Sequence, residues 1–197
     1  GEADVDISNT NKASVGISAD FTAGENFTLL ATTFNFSRAE ADSAGGGAVA
    51  DGDADAHIKL AYDTRTIVGV NSKINAANKL TLQAQTKTDT DADAESDTGG
   101  VAADSSGDAS VKIGDSSTAV TETLVSSNVE LTGKQVLLAA KVPLLKANVS
   151  GSSEAGGGIV DSDGTGVLKV NERSRVTVSA GAQITGTEKI EVKAEQT

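Results

Sequence analysis

A repeat of fifty-odd residues is the feature that most constrains this chain. The pentapeptide Phe27–Ala31 recurs in pattern at Leu80–Ala84, Val136–Ala140 and Ile190–Ala194, at spacings of 53, 56 and 54 residues. A period of this length is typical of an array in which each unit buries its apolar face against the next. The sequence therefore predicts one repeat array over residues 1–197, with complete units at 27–79, 80–135 and 136–189 and partial units at 1–26 and 190–197.

Apolar positions elsewhere in the unit keep the same register. The glycine clusters that begin at Gly45, Gly99 and Gly156 also occur once per unit. The predicted columns of equivalent residues are Val5, Ile58, Val111 and Leu168; Ile7, Leu60, Ile113 and Val170; Ile17, Val70, Val125 and Val178; and Phe21, Ile74, Val129 and Ile184.

Within a unit, apolar and polar residues alternate, as in Ile58-Lys59-Leu60. This period of two places the apolar residues on one face of a β-strand, and no stretch sustains the spacing of an amphipathic helix. We expect an all-β fold with at least three strands in the first complete unit, near 27–36, 48–60 and 66–75.

Two all-β architectures fit this pattern, a solenoid and a string of β-sandwiches. The chain has no Cys, Met or Trp, one Tyr and four Phe. Fifty-odd residues with so few bulky side chains do not close a sandwich on their own. We therefore favour a parallel β-solenoid (β-helix) of 53–56-residue repeats, with one large coil per repeat and about 4.8 Å between coils.

The residues around each glycine cluster predict a narrow part of the coil. Ala39–Asp42 leads into the first cluster and Asp53–Ala56 leads out of it, so Ala alternates with carboxylates on both sides. We expect two strands that run out and back around a glycine turn, with only methyl groups between them. The rest of the coil would then be a wide end lined by Val, Ile, Leu and Phe.

The charge balance excludes some partners. A net charge of −12 and a pI near 4.4 argue against binding to nucleic acid or to an anionic membrane surface, which require clustered Lys and Arg. The chain contains no run of 18 apolar residues, so the sequence does not predict membrane insertion. A chain this acidic could also be disordered, but regular clusters of Val, Ile and Leu favour a folded array. The first residue is Gly, so we interpret the chain as a mature product or a fragment.

Acidic residues are the one cluster with a chemical implication. Asp51, Asp104 and Asp161 occupy one equivalent position in successive units. Carboxylates stacked 4.8 Å apart repel by about 1 kcal/mol in water, so such a column favours a cation, and Ca²⁺ prefers oxygen ligands in irregular geometry. The alternative is a solvated acidic face that prevents aggregation. The candidate Ca²⁺ ligands are Asp51, Asp53, Asp104, Asp161 and Asp163, and Ser106 takes the position equivalent to Asp53 and Asp163 in the middle unit.

Nothing in the sequence predicts catalysis. His57 is the only histidine, and its equivalents are Ser110 and Val167, so we interpret it as a solvated strand residue. The repeated acids do not form one unique cleft, and we expect no enzymatic activity. A run of alternating threonines builds no flat Thr array, because Thr86, Thr88 and Thr90 align with Thr33, Asn35 and Ser37 before them and with Val142, Leu144 and Lys146 after them.

The Leu80–Ala84 anchor, the Gly cluster followed by Asp and the Val/Ile alternation together resemble the repeat regions of giant bacterial exoproteins of the filamentous-haemagglutinin or autotransporter-adhesin kind. The resemblance spans the whole chain. It implies a right-handed parallel β-helix shaft, export across the outer membrane and a role in adhesion or extracellular fibres.

Two functions remain open at this stage. The first is a structural segment of an extracellular filament, sheath or adhesin shaft, which associates with itself or with more of its own chain through its coil ends. The second is a calcium-dependent adhesin or ligand-binding module of a secreted exoprotein. Both place the protein outside the cell or on its surface, in a bacterial-type setting.

Overall fold

The computed structural model describes residues 1–115 and 118–196, and these residues form strands and turns without a helix. No helix long and apolar enough to cross a membrane therefore occurs in this part of the chain. The described residues form nine strands, namely β1 (Glu2–Val15), β2 (Asp20–Ala23), β3 (Phe27–Val68), β4 (Lys73–Ala76), β5 (Lys79–Ile113), β6 (Ala119–Val125), β7 (Glu130–Val170), β8 (Glu172–Val178) and β9 (Gln183–Gln196).

Every strand pair within the described residues is parallel. The strands belong to one continuous sheet, which the chain forms as it winds from coil to coil. β1 pairs with β3 from Glu2 opposite Asp55, and β3 pairs with β5 from Phe27 opposite Leu80. Each residue thus lies beside its equivalent one repeat away. The prediction of a parallel β-solenoid with one large coil per repeat is confirmed.

The narrow part of the coil, here called the arm, comprises residues 39–56 and their equivalents. Ala39 and Ala41 face inward against Ala54 and Ala56 in one buried cluster. Nearer the tip, the Ser105 hydroxyl donates to Ser96 Oγ at 2.9 Å across the interior. The reversal is made inside β3, which spans 42 residues without a break, so the separate strands expected near 27–36 and 48–60 are in fact one.

The wide part of the coil holds a second apolar cluster, which includes Val68, Ile74, Leu80 and Leu82. The expectation that phenylalanines line it holds for two of the four. Phe27 packs against this cluster, and Phe21 lies in the same inward column as Ile74 with its ring 5.8 Å from that of Phe27. Phe34 and Phe36 do not line it and are 55% and 66% exposed. Odd-numbered residues face inward in this stretch of β3, so Phe34 and Phe36 project outward.

Two predicted columns are corrected by the register. Val125 pairs with Val68 rather than Val70, and Ile74 pairs with Leu131 rather than Val129. The spacing between equivalent residues increases from 53 at Leu60 to 57 at Asp63, because the extra residues lie together between β5 and β6. The true columns are Val15, Val68, Val125 and Val178, and Phe21, Ile74, Leu131 and Ile184.

Buried threonines separate the two apolar clusters, and we call this layer the threonine waist (Thr33, Thr64, Thr66, Thr86, Thr121, Thr123). Thr86 Oγ1 donates to Thr64 Oγ1 at 3.0 Å and accepts from Thr121 Oγ1 at 2.8 Å. Thr86 thus belongs to an internal hydrogen-bonded column. The predicted alignment with Val142, Leu144 and Lys146 was also shifted, since a bulge at Val142-Pro143 places Leu144 beside Lys87 and Lys146 beside Asp89. Pro143 has no N–H to donate, which suits a bulge.

Candidate functional site: acidic arm and open end face

The predicted acidic columns lie at the arm. Asp51, Asp104 and Asp161 are direct neighbours in register, and all three are exposed. Asp53, Ser106 and Asp163 form the second column, so its carboxylates are interrupted by a hydroxyl. The equivalence of these residues, which sequence comparison predicted, is therefore present in the fold.

The arrangement of these carboxylates does not form a compact ligand set. Each coil contributes one carboxylate to the first column, and no group of three or more His, Cys, Asp or Glu residues within the described ranges is placed to hold a metal ion. A cleft of about 580 Å³ lies beside the column, and Val49, Ala102 and Ile159 line it together with the three aspartates. Its lining repeats from coil to coil, as expected for a scaffold surface.

His57 is a partly buried strand residue. Its Nδ1 lies 2.9 Å from Ser110 Oγ on the next coil, and Ser110 is followed by Val167 in the same column. This hydrogen bond engages one of the two ring nitrogens. The contact links two coils, and the carboxylate-bearing residue Asp4 is the register neighbour of His57 on its other side.

The C-terminal end of the stack exposes residues that are core elsewhere. In the column of Ile58, Val111 and Leu168, the first two are 0% exposed and Leu168 is 52% exposed. We call this surface the C-terminal end face, and its exposed apolar residues are Leu168, Val170, Val178, Ile190 and Val192. At the N-terminal end face, Val5, Ile7, Phe27 and Leu29 are half-buried and Phe21 is exposed.

A polar track runs through the coil between these two faces. Asn9 donates from Nδ2 to Asn35 Oδ1 at 2.7 Å, and Asn35 donates to Thr88 Oγ1 at 3.4 Å. Tyr62 and Glu172 stand in the same column as Asn9, with the small Ala119 between them. Asn9 therefore lies at one end of the column and Glu172 at the other.

Glu172 is the unusual group of this track. Burial raises the pKa of its carboxyl to about 7, and the nearby Tyr62 and Thr121 hydroxyls lower it only in part. Burial, then the Glu172 charge, raises the pKa of Tyr62. Neither the Tyr62 hydroxyl nor either Glu172 oxygen has a well-aligned hydrogen-bond partner within the described residues. Sequence analysis missed Glu172, although a carboxylate at an inward position of the strand alternation was a readable signal.

A second buried carboxylate, Glu122, is fully paired on the outer surface. Arg175 donates from Nη2 to Glu122 Oε2 at 3.0 Å, and Thr177 donates to Oε1 at 2.9 Å. Arg65 lies 3.6 Å away on the preceding coil. The pairs join three consecutive coils, so Glu122 has a structural role.

Comparison of the chain with protein-family models, with curated proteins and with solved structures found no match.

Proposed function

We propose that this chain is a structural segment of an extracellular filament, sheath or adhesin shaft, and that it extends by adding coils along its axis. The observation that carries the proposal is the C-terminal end face. There Ile190 and Val192 are 48% and 52% exposed, whereas Leu80, Leu82 and Leu138 in the same two columns are fully buried.

Adding a coil to this face is favourable for two physical reasons. Backbone N–H and C=O groups at the edge of a parallel sheet gain partners, and the exposed apolar side chains leave water. Full burial of one Leu, Ile or Val side chain contributes about 1.5–3 kcal/mol relative to exposure. Five such residues on one face therefore favour continued stacking.

The charge and the composition of the chain support an extracellular shaft. The acidic outer face of the arm resists side-by-side aggregation, and the absence of Cys suits a long exported chain that avoids oxidative coupling. The resemblance to filamentous-haemagglutinin and autotransporter-adhesin repeats points to the same role. We further expect the protein to have no enzymatic activity.

The test uses a chain of six copies in which residues 144–163 are repeated between successive copies. The bridge fills a gap in the coil between successive copies. Gln196 lies beside Val142, whereas Gly1 of the next copy has to lie beside Gly164 to continue its own column. Each copy then adds four coils, so negative-stain images should show a rod of roughly 115 Å with a 4.8 Å axial repeat in diffraction. Separate beads in place of a rod would contradict the proposal.

The location is tested separately. Antibodies raised against the folded array should label intact, unpermeabilised source cells or the fibres they shed. Labelling only after permeabilisation would remove the extracellular part of the proposal.

A further inference from the structure

We propose that the chain associates side by side with a second, parallel copy through a patch on the outer wall of the coil, in which Lys87 of each copy faces Asp89 of the other. We call this surface the phenylalanine patch (Phe34, Phe36, Lys87, Asp89, Leu144, Lys146). The inference goes beyond axial extension, because it concerns the side of the array. Further coils before or after this chain leave that side uncovered.

The phenylalanine patch consists of two neighbouring outward columns that span three coils. Its side chains alternate along the strand with buried ones such as Thr33 and Asn35, so they point away from the interior. Phe34 and Phe36 are more than half exposed, and Leu144 is more than a third exposed. Exposed apolar side chains that cluster in this way mark an interaction surface. The two columns are Phe34, Lys87 and Leu144, and Phe36, Asp89 and Lys146.

Two departures from the repeat meet in this patch. The first is the phenylalanine pair, whose equivalents in the next coil are Lys87 and Asp89. The second is the bulge at Pro143, which moves Leu144 from the inward column of Thr88 to the outward column of Lys87. A wall that served only stacking would repeat from coil to coil, so these changes favour a partner for this surface.

A second copy fits the patch when both stacks run in the same direction and a twofold axis runs parallel to them. The strands of the facing copy then run in reverse, so the column of Phe34 faces the column of Phe36. Phe34 lies opposite Phe36 and Lys87 lies opposite Asp89, and the symmetry makes each contact twice. Facing aromatic rings and opposite charges are both favourable.

The charges of the patch select this arrangement. Lys87 lies 5.5 Å from the centre of the Phe34 ring and has no ion pair within the described residues. Asp89 pairs with Lys146 at 3.5 Å in a solvent-exposed contact, and a carboxylate has lone pairs for a second cation. If the stacks ran in opposite directions around this coil, Lys87 would face Lys87 and Asp89 would face Asp89.

The columns on either side are complementary as well. Gln85 accepts a hydrogen bond from Gln83 at 2.8 Å through its amide oxygen, which leaves its N–H groups to donate to a carboxylate of the second copy. No like charges meet across these flanking columns. The facing pairs are Thr32 with Arg38, Gln85 with Asp91, and Lys141 with Asn148.

Charge exchange tests the central pair. In sedimentation velocity over a range of concentrations, K87D and D89K should each weaken self-association about fivefold or more, because like charges then face each other twice. An equimolar mixture of the two variants, and the double variant K87D/D89K, should recover most of the association, because each restores opposite charges across the interface. K79D makes the same change of charge away from the patch and should associate as the parent chain does.

A second pair of variants tests the apolar part. Phe36→Ser should weaken association about tenfold while circular dichroism stays unchanged, because the side chain is already largely exposed. Val49→Ser is the matched control, since Val49 is an exposed apolar residue of the same coil at the tip of the arm. Any stacking through the coil ends affects both variants equally.

Cross-linking tests the direction and the register. The chain has no Cys, so introduced cysteines are the only thiols. Facing sheets pack about 10 Å apart, so a bismaleimide of about that length should join Thr32→Cys to Arg38→Cys in an equimolar mixture. Neither variant alone should cross-link, because the facing equivalents then lie roughly 20 Å apart along the strand.

The outcomes separate this inference from the proposed function. A parent chain that stays monomeric at about 1 mM, or association that K87D and Phe36→Ser leave unchanged, would overturn the phenylalanine patch as an interface. Cross-linking of either cysteine variant alone would overturn the register. The rod of six copies depends on none of these results, so axial extension stands or falls by its own test.

Discussion

At the scale of single residues, one corner of each coil depends on a left-handed backbone conformation. Ser18, Asn71, Asn128 and Gly181 occupy this corner in successive coils, with φ values of 54°, 57°, 56° and 76°. The Asn128 amide donates to Asn71 Oδ1 at 3.3 Å, which links two of these corners. Asn and Gly tolerate this conformation better than other residues.

Gly181→Ala tests the corner. A β-carbon at Gly181 meets the Asn128 carboxamide oxygen, and φ is positive, so we expect a loss of about 1–2 kcal/mol in the free energy of unfolding. Gly24→Ala is the control, because open space surrounds Gly24. Urea unfolding measures both variants, and equal stabilities would contradict this account of the corner.

Glu172 gives the fold a pH dependence with a definite sign. The folded-state pKa of about 7 lies above the ordinary value of 4.5, so the folded state binds the proton more tightly than the unfolded state. Stability is therefore lost as pH rises from about 4.5 to about 7, and it stays lost above that. Because Glu172 as a whole residue is only partly buried, we expect an effect of about 1 kcal/mol.

Glu172→Gln removes the titrating group and keeps the shape. The melting temperature of the parent chain should fall between about pH 5 and pH 8 by more than that of the variant. Identical pH profiles would show that Glu172 does not carry this dependence.

At the scale of elements, the threonine waist holds opposite strands of the coil together. Thr123 accepts a hydrogen bond from the Ala84 N–H at 3.1 Å and donates to the Ala139 carbonyl at 2.5 Å. One buried hydroxyl thus links β6 to both β5 and β7. The waist lies between two apolar clusters, so the interior of the coil has a polar layer at its centre.

Thr123→Val tests the waist with an isosteric change. It leaves a buried N–H and a buried C=O without this partner, so we expect a loss of about 1–3 kcal/mol in the free energy of unfolding. Thr28→Val, on the exposed face of β3, is the matched control and should change stability by less than about 0.5 kcal/mol. A similar small effect at Thr123 would mean that its hydrogen bonds are not needed.

At the scale of the whole molecule, stability comes from stacking along one axis. Interior coils bury their columns completely, whereas both end faces remain partly exposed. In such an array each coil contacts only its neighbours, so terminal coils are the least protected part. Hydrogen exchange should accordingly be fastest in the strands that border the end faces.

The acidic columns of the arm predict how the stability of the whole molecule responds to calcium. The structure stacks the predicted ligands Asp51, Asp104 and Asp161 in one column, and no group of three or more possible ligands within the described residues is placed to hold a metal ion. We expect the melting temperature in about 1 mM CaCl₂ to equal that in chelator within about 2 °C, because carboxylates that do not converge on one point bind the ion weakly. A larger rise that Asp104→Asn abolishes would instead support the calcium-dependent adhesin.

The repeat length, the β class and most columns, including those of Asp51 and His57, were predictable from the sequence, which favoured one coil per repeat without fixing that number. This was readable because in-register parallel stacking places each residue beside its equivalent, so a contact in space appears as a period in the chain. The position of the inserted residues became clear from the strand register, which shifted the columns of Val125 and Ile74. Only the tertiary structure decided which residues meet across the coil, such as Thr64 with Thr33, and it revealed the unpaired Glu172. Contacts across the coil depend on where the chain reverses direction. The alternation of apolar and polar residues along one strand does not say which residues of the opposite strand it faces.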